Sequence, residues 1–523
     1  MEKEMKEGIE KVREVKSRAI LGGGKEKIEK LHQRGKLTAR ERIYLLLDAG
    51  SFVEWNLLAG YNEGSPGDGI VTGYGTIEGR VVCIYSQDPT VLGGSIGALH
   101  GYKMYRTIEK ALEMRVPLIG LHDSPGARTV RPEEAGGAFA ALGLQSEKSG
   151  VSVFYPNTQA SGIIPQISAI LGSCAGISVY SPALTDFVFM VDGIGQMFIT
   201  GPRIVKSVMG EELTMEELGG AKVHSRVSGV ADFRVGSEEQ CFQMIRKLLS
   251  FLPSNNEEAA PIVDTMDDSS RMDETLADIV PTDSYKSYDM HQVITRLVDN
   301  GDFFEVKEEF APEIIVGFAR LAGQSIGLVA NQPMVRAGSL TINSSDKQAR
   351  FIRFCDAFNT PIVMLVDTPA YMPGSEQEHG GIIRHGAKVL YALCEAVVPR
   401  IAVVLRKAYG GGNLGMGVMP GFETDFIFYW PIVEAGVLGA EQSVELFYNK
   451  EIAEAKDPAR YKAEKVREYR EKYANPFFEA SRNIFIDDII EPEETRRTLI
   501  RALQLLRSKK LTRYPKRHGN IPL

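Results

Sequence analysis

The sequence predicts an α/β protein built as two tandem copies of one domain. Three observations carry that expectation: the length, a collinear internal repeat, and strand–turn–helix alternation inside each copy. At 523 residues the chain is too long for one ordinary core, and two domains of roughly 200 to 250 residues are expected. The repeat is the main observation. TGYGTIEGRVVCIYSQDPTVLGGS around Gly73 matches VGFARLAGQSIGLVANQPMVRAGS around Gly317. Gly73 pairs with Gly317, Gly79 with Gly323 and Gly94-Ser95 with Gly338-Ser339, each pair 244 positions apart. The offset persists to PLIGLHDSPGAR against PIVMLVDTPAYM, where Pro117, Asp123 and Pro125 face Pro361, Asp367 and Pro369. With small shifts, LLDAGSFVEW resembles LVDNGDFFEV, and PQISAILGSCAGI matches PRIAVVLRKAYGG. Ala175-Gly176-Ile177 thus falls opposite Tyr409-Gly410-Gly411, and TDFVFM at Thr185 resembles TDFIFY at Thr424. Chance recurrence of Gly and Pro explains one such match, not an ordered series.

Within a copy, the β-branched runs Val81–Tyr85, Leu118–Leu121 and Ile167–Leu171 read as buried strands. Between them Ile96, Leu99, Ile108 and Leu112 share one face of an amphipathic helix, as do Ile352, Cys355 and Phe358 in the second copy. An acidic, aromatic-poor stretch opening at Pro253 reads as a linker. Domains are expected at 1–255 and 286–523, with the linker at 256–285. A charged helical stretch from Ala453 to Tyr473 and a basic tail follow.

Composition narrows the class. Apolar residues make up 44% and charged ones 24%, ordinary for a soluble globular protein. A formal charge of −8 with no strongly basic segment argues against a nucleic-acid partner. The five cysteines (83, 174, 241, 355 and 394) lack zinc or redox spacing and fit a reducing cytosol. The eight histidines do not cluster, so no metal is expected. The N-terminal run is charged and helix-like, not a signal peptide, and no apolar run has the length of a membrane span. The expectation is a cytoplasmic protein.

In both copies a strand ends in a small-residue turn that should start a helix, CAGIS at Cys174 and AYGGGN at Tyr409. Glycine lets a ligand approach the backbone, and the first N–H groups of a helix have no partner within it. Such a turn can donate to a negative oxygen, aided by the helix dipole. The earlier turns at Val91–Gly94 and Val335–Gly338 could supply second donors, giving Gly93, Gly94, Ala337 and Gly338 as secondary candidates. No G-x-S-x-G elbow is present, and Gly22-Gly23-Gly24-Lys25 lacks phosphate-loop spacing. Asp123 and Asp367 follow strands and read as turn or cap residues.

At these turns the chain resembles the biotin-dependent acyl-CoA carboxyltransferases: propionyl-CoA carboxylase β subunits, methylmalonyl-CoA decarboxylase α subunits and transcarboxylase core subunits. The motifs run nearly end to end. They include TARERI at Thr38, DGIVTGYGTI at Asp68, SQDPTVLGGS at Ser86, YSPALTDF at Tyr180, FITGP at Phe198 and SVMGEELTMEELGG at Ser207. In the second half come ANQP at Ala330, EHGGIIRHGAK at Glu378, VLRKAYGG at Val404, MGVMP at Met416 and the terminal KRHGNIPL. The resemblance implies two crotonase-type domains per chain and head-to-tail pairing, with three dimers stacked into a hexameric ring. It implies an N-terminal acyl-CoA side, where Gly176 and Ile177 donate to the thioester oxygen as the enolate forms. It implies a C-terminal biotin side, where Gly410 and Gly411 donate to the ureido oxygen. Biotin would arrive on a separate carrier protein, since no lysine sits in a biotinylation turn and GYKMYR at Gly101 reads as helix. A biotin carboxylase or membrane decarboxylase subunits would complete the system.

Several positions depart from the family pattern. Pro89 stands in SQDPT and Pro125 in DSPGAR; with Gly126 and Ala175 they are expected around the acyl pocket. Ile177 replaces a glycine and keeps its N–H, provided its φ and ψ suit a side chain. In the second half Ala370, Tyr371, Tyr409 and Leu414 are expected around biotin. These changes leave the reaction class standing and the acyl group open among propionyl-, methylmalonyl- and related short-chain thioesters. A sodium-pumping decarboxylase acting on methylmalonyl- or glutaconyl-CoA is the near alternative. A crotonase-like hydratase or thioesterase would need an acid or base such as His122 or Glu133, and a non-catalytic assembly core would bind no acyl-CoA.

Overall fold

The structure, a computed structural model, describes residues 2–129 and 150–522. The chain divides into two compact units, Met1–Glu258 and Ala259–Leu523.

In the first unit, helices α1 (Glu2–Ile20), α2 (Lys25–His32) and α3 (Ala39–Leu46) precede the sheet. Thr38 caps α3 through a reciprocal box with Glu41. Seven strands then form a mixed sheet in the order β1 (Val53–Trp55), β2 (Ile70–Ile77), β3 (Arg80–Gln87), β4 (Leu118–His122), β5 (Gln166–Ile170), β7 (Phe187–Val191), β9 (Phe233–Val235). The first two pairings are antiparallel and the rest parallel. A separate ribbon pairs β6 (Ser173–Ala175) with β8 (Gln196–Phe198).

The second unit has an eight-stranded sheet in the order β10 (Phe304–Val306), β11 (Ile314–Leu321), β12 (Gln324–Asn331), β13 (Ile362–Thr368), β14 (Arg400–Tyr409), β15 (Phe426–Tyr429), β17 (Asp488–Ile489). Strand β16 (Glu434–Gly436) pairs with the end of β14. Here β14 is one continuous ten-residue strand, where the first unit has β5 and β6. The central strands are buried on both faces, as the apolar runs require.

In each sheet the second and third strands join through a two-residue hairpin with two left-handed residues, Glu78-Gly79 and Ala322-Gly323. An aspartate clamps each. Asp48 accepts from the N–H groups of Glu78 at 3.0 Å and Gly79 at 2.9 Å, and Asp299 from those of Ala322 at 3.0 Å and Gly323 at 2.7 Å. These bonds, the Gly79 N–H foremost, hold the Asp48 carboxyl well below its ordinary range. An arginine from a late helix reaches each clamp: Arg246 of α5 (Glu238–Phe251) and Arg496 from 495–506.

The helix after the left-handed turn of the first unit, α4 (Ala98–Met114), differs from its sequence reading. Leu99 is exposed, and the buried face is formed by His100, Lys103, Met104, Thr107, Ile108 and Ala111. A buried lysine takes an apolar place because carbonyls cap its ammonium: Lys103 Nζ donates to Gly67 O at 3.0 Å and Ile70 O at 2.5 Å. Lys347, on α6 (Ile342–Ala357), donates likewise to Phe310 O at 2.8 Å, and burial lowers both lysines to about 8. Residues 259–285 pack on the second unit, where Ile262 bridges Gln324 and Leu276 and Val280 are buried. The charged stretch is two helices, 449–454 and α8 (Pro458–Lys472). It is broken where Asp457 caps the second and Pro458 opens it.

His291 makes a pH-dependent contribution. Its Nε2 lies 2.8 Å from Glu305 and its Nδ1 2.8 Å from Asp289, and the Glu305 hydrogen bond leads in raising it to about 9. A raised folded value stabilises fully below the unfolded value, about 6.5, and is lost as pH rises through 9. Relative to His291→Gln, the wild type's advantage in urea midpoint is therefore expected to shrink between these pH values.

Candidate active site

In the second unit β14 runs directly into a short helix, α7 (Gly410–Gly415). Tyr409 is extended, and Gly410 turns left-handed at φ +47, where a Cβ would lie 2.8 Å from Val437 O. That conformation favours glycine, and the first N–H groups of a helix have no partner within it. Close by, Arg336, Ala337 and Gly338 take φ of 48, 54 and 76, a left-handed turn strained at its two non-glycine residues. The N–H of Gly338 closes this turn on Val335 O at 2.9 Å. Asn331 at the end of β12 ties the pieces together, accepting from Asp367 N at 3.1 Å and donating to Gly338 O at 3.3 Å.

A cavity of about 820 Å³ opens here, with Ala337, Ala370, Tyr409, Gly410 and Gly411 in its wall beside Lys407. It falls in the ordinary size range of small-molecule sites, about 300 to 1,000 Å³. Tyr371 packs behind α7, where a Cβ on Gly411 would come within 2.9 Å of its ring, and Leu414 is exposed on that helix. The far wall is charged, a feature sequence reasoning missed. Tyr409 OH donates to Glu434 at 2.7 Å, while Arg470 of α8 reaches Glu441 at 2.6 Å, which accepts also from Tyr285 OH at 3.0 Å. Only the position of α8 in space makes Arg470 part of the cavity; its sequence reads as a solvated helix.

The first unit repeats the geometry. Ala175 is extended, Gly176 is left-handed at φ +58, and a 3-10 turn, Gly176–Val179, follows. Ile177 has no positive φ, so its side chain costs the turn nothing. Ser178 Oγ is within 3.0 Å of Ser124 O and 2.9 Å of Ala175 O, fastening this turn to the end of β4. Leu92, Gly93 and Gly94 are left-handed in succession, with the Gly94 N–H again closed on Val91 O at 2.9 Å. Gln87 accepts from Asp123 N at 2.9 Å. Gly126, at φ +103, approaches Ala175 O; Pro125 beside it is exposed, and Pro89 flanks Gly94.

Each site rests on a buried aspartate. Asp123 pairs with Lys36 at 2.6 Å and Arg42 at 3.0 Å; Asp367 pairs with Arg406 at 3.0 Å, with Lys407 at 3.9 Å. Buried carboxylates held by cations in this way are anchors. His122 is only 1% exposed, with Nε2 3.2 Å from Ser168 Oγ and 3.3 Å from Tyr85 OH, and burial lowers it to about 3. Glu133 lies outside the described residues. Among the described residues no group of three His, Cys, Asp or Glu is placed to hold a metal, and no helix is long and apolar enough to cross a membrane.

The fold and the two turns define a class, an α/β protein whose candidate sites offer backbone donors at strand-to-helix turns. The chain belongs to the carboxyl transferase domain family, whose model matches residues 30–521. It is 48% identical to the carboxyltransferase subunit of propionyl-CoA carboxylase from Haloferax mediterranei, over 99% of this chain and 100% of that one. It is 49% identical to the α subunit of methylmalonyl-CoA decarboxylase from Veillonella parvula, over 99% of each. Among solved structures it resembles transcarboxylase 12S, described as a hexamer assembly and a multienzyme core, with hydrolysed methylmalonyl-CoA bound. That match has a TM-score of 0.91 and 45% identity, covering 98% of each chain.

Proposed function

We propose that this chain is the carboxyltransferase subunit that moves a carboxyl group between biotin, carried on a separate protein, and the α-carbon of a short-chain acyl-CoA. Family membership and the activities named for its relatives support the reaction class; the methylmalonyl- and propionyl-CoA relatives support the acyl group. The observation that carries the site assignment is the paired left-handed glycine, Gly176 and Gly410, each ending a strand and opening a helical turn.

Biotin, when bound, supplies the ureido nitrogen that carries the carboxyl and afterwards takes the α-proton. The protein's part is orientation and charge stabilisation. The N–H groups of Gly410 and Gly411 donate to the ureido oxygen, and the cavity walled by Ala370 and Tyr409 holds the bicycle. The N–H groups of Gly176 and Ile177 donate to the thioester oxygen as it becomes an enolate. Pro89, Pro125, Gly126 and Ala175 shape the acyl side, and the turns at Gly93-Gly94 and Ala337-Gly338 form the second walls of the two holes.

We further infer that the repeated domains, at 1–255 and 286–523, are crotonase-like copies from a duplication, joined by 256–285, of which all but the first three residues belong to the second compact unit. Their registers support this: Leu118↔Gln166 to His122↔Ile170 parallels Ile362↔Arg400 to Val366↔Val404. By likeness to transcarboxylase 12S the assembly is a hexamer, a trimer of dimers, working with a biotin carrier and with carboxylase or membrane decarboxylase subunits. We place it in the cytoplasm, consistent with five free cysteines. The Veillonella relative favours a second reading, the same transfer run as decarboxylation of methylmalonyl-CoA.

The test is incubation of the chain with free biotin and a panel of malonyl-, methylmalonyl- and glutaconyl-CoA. Biotin-dependent decarboxylation of at least one thioester is expected; none across the panel would defeat the proposal.

A further inference from the structure

The two aspartate clusters are built from different parts of the chain. The β6–β8 pairing Ser173↔Gln196 and Cys174↔Met197 has the same form as the β14–β16 pairing Lys407↔Glu434 and Ala408↔Ala435. In this register Ser173 occupies the place of Lys407, and Gly172 the place of Arg406. The first unit therefore lacks, on its own strand, both cations that hold Asp367 in the second. Gly172 has no room for a side chain, since a Cβ there would lie 1.8 Å from Asp123 Oδ1. The space is filled from α3 and from the loop that precedes it. Arg42 Nη1 donates to Asp123 at 3.0 Å and its Nη2 to Leu171 O at 2.9 Å, while Lys36 Nζ sits 2.6 Å from Asp123.

The charges differ in one respect. Arg42 is also bound by Glu238, at 2.7 Å through Nε, so one guanidinium is shared by two carboxylates and Lys36 supplies the second positive charge. Asp123 lies against both turns of the first site. Its carbonyl would be 2.5 Å from a Cβ on Gly94, and its neighbour Ser124 accepts from Ser178 in the Gly176–Val179 turn. A carboxylate there without a counter-charge opposes negative charge growing on an oxygen at those turns.

We propose that Lys36 is a positioning residue of the first site, the counterpart of Lys407 in the second. Its ammonium neutralises Asp123 so that the Gly176 turn can stabilise an enolate oxygen, and residues 36–42 are thereby part of the active site. The inference rests on the acyl-CoA assignment above. It concerns charge rather than tethering, which sets up a compensation: a lysine at position 173 should replace the one lost at 36.

The experiment uses the full chain with methylmalonyl-CoA and free biotin, comparing Lys36→Met, Lys36→Gln, Lys36→Arg and the double variant Lys36→Met/Ser173→Lys. Thermal unfolding of each is followed alongside. Lys36→Met and Lys36→Gln are expected to lower kcat about 10- to 100-fold, less than loss of a direct oxyanion donor, with the biotin KM unchanged. Lys36→Arg should retain turnover, and Ser173→Lys should restore it in the Met background. Wild-type kcat in folded Lys36→Met or Lys36→Gln, or no recovery in the folded double variant, would overturn the inference while leaving the proposed function intact. A wild-type chain inert with every thioester would instead overturn the proposed function and this inference with it.

Discussion

Replacing Gly410 by proline is expected to lower biotin-dependent turnover about 100- to 1,000-fold while leaving the KM for the CoA thioester unchanged. Two independent effects act at this residue. Proline removes the N–H assigned to the ureido oxygen, and its φ near −65° is incompatible with the observed φ of +47. Strain alone would lower activity without distinguishing the ligands, so the informative control is Gly410→Ala. It keeps the N–H but meets Val437 O at 2.8 Å, and it should lose less than proline does. Because Gly410 lies at the half-buried mouth of the cavity, not in the central sheet, the folded state is expected to survive either change. Steady-state kinetics against each substrate check the result. Loss of thioester binding together with biotin turnover would mean the biotin side has been misplaced.

Arg406→Met is expected to destabilise the protein by about 3 to 5 kcal/mol, read as a fall in urea midpoint, because it leaves a buried carboxylate without its guanidinium. Arg406 is 1% exposed. Besides Asp367 it donates to the carbonyls of Pro281, Asp283 and Lys286 at 3.2, 3.0 and 2.8 Å and stacks over the Tyr288 ring at 5.1 Å. The loss should depend on pH in a fixed direction. Burial already raises the Asp367 carboxyl, and removing the cation raises it further. A group raised on folding contributes stability below its unfolded value, about 3.9, that is lost as pH rises through its folded value. The deficit of Arg406→Met should therefore shrink on acidification, and a deficit constant across that range would contradict the electrostatic account.

Leu118 and Ile167 lie in strands as their β-branched runs indicate, because a strand buried on both faces leaves a local apolar signature. Gly176 and Gly410 were legible because they recur at matched places, and the structure gives both the left-handed conformation. Leu99 misled because the face of α4 is set by a lysine whose carbonyl partners, Gly67 and Ile70, lie more than thirty positions away. Arg470 was invisible for a similar reason, since a charged helix carries no mark of the cavity it will border. The exchange of Arg42 and Lys36 for Arg406 and Lys407 was hidden most deeply. It becomes visible only when strand register aligns Gly172 with Arg406, because cations from a distant segment leave no trace at the position they replace.

Each turn is assigned a different ligand, so removing one ligand altogether separates the two. Release of labelled carbon dioxide from N-carboxybiotin in the absence of any CoA thioester isolates the second site. The wild type and Gly176→Pro are expected to accelerate this release alike, while Gly410→Pro loses the acceleration. Equal loss in both variants, or undiminished release by Gly410→Pro, would contradict that assignment.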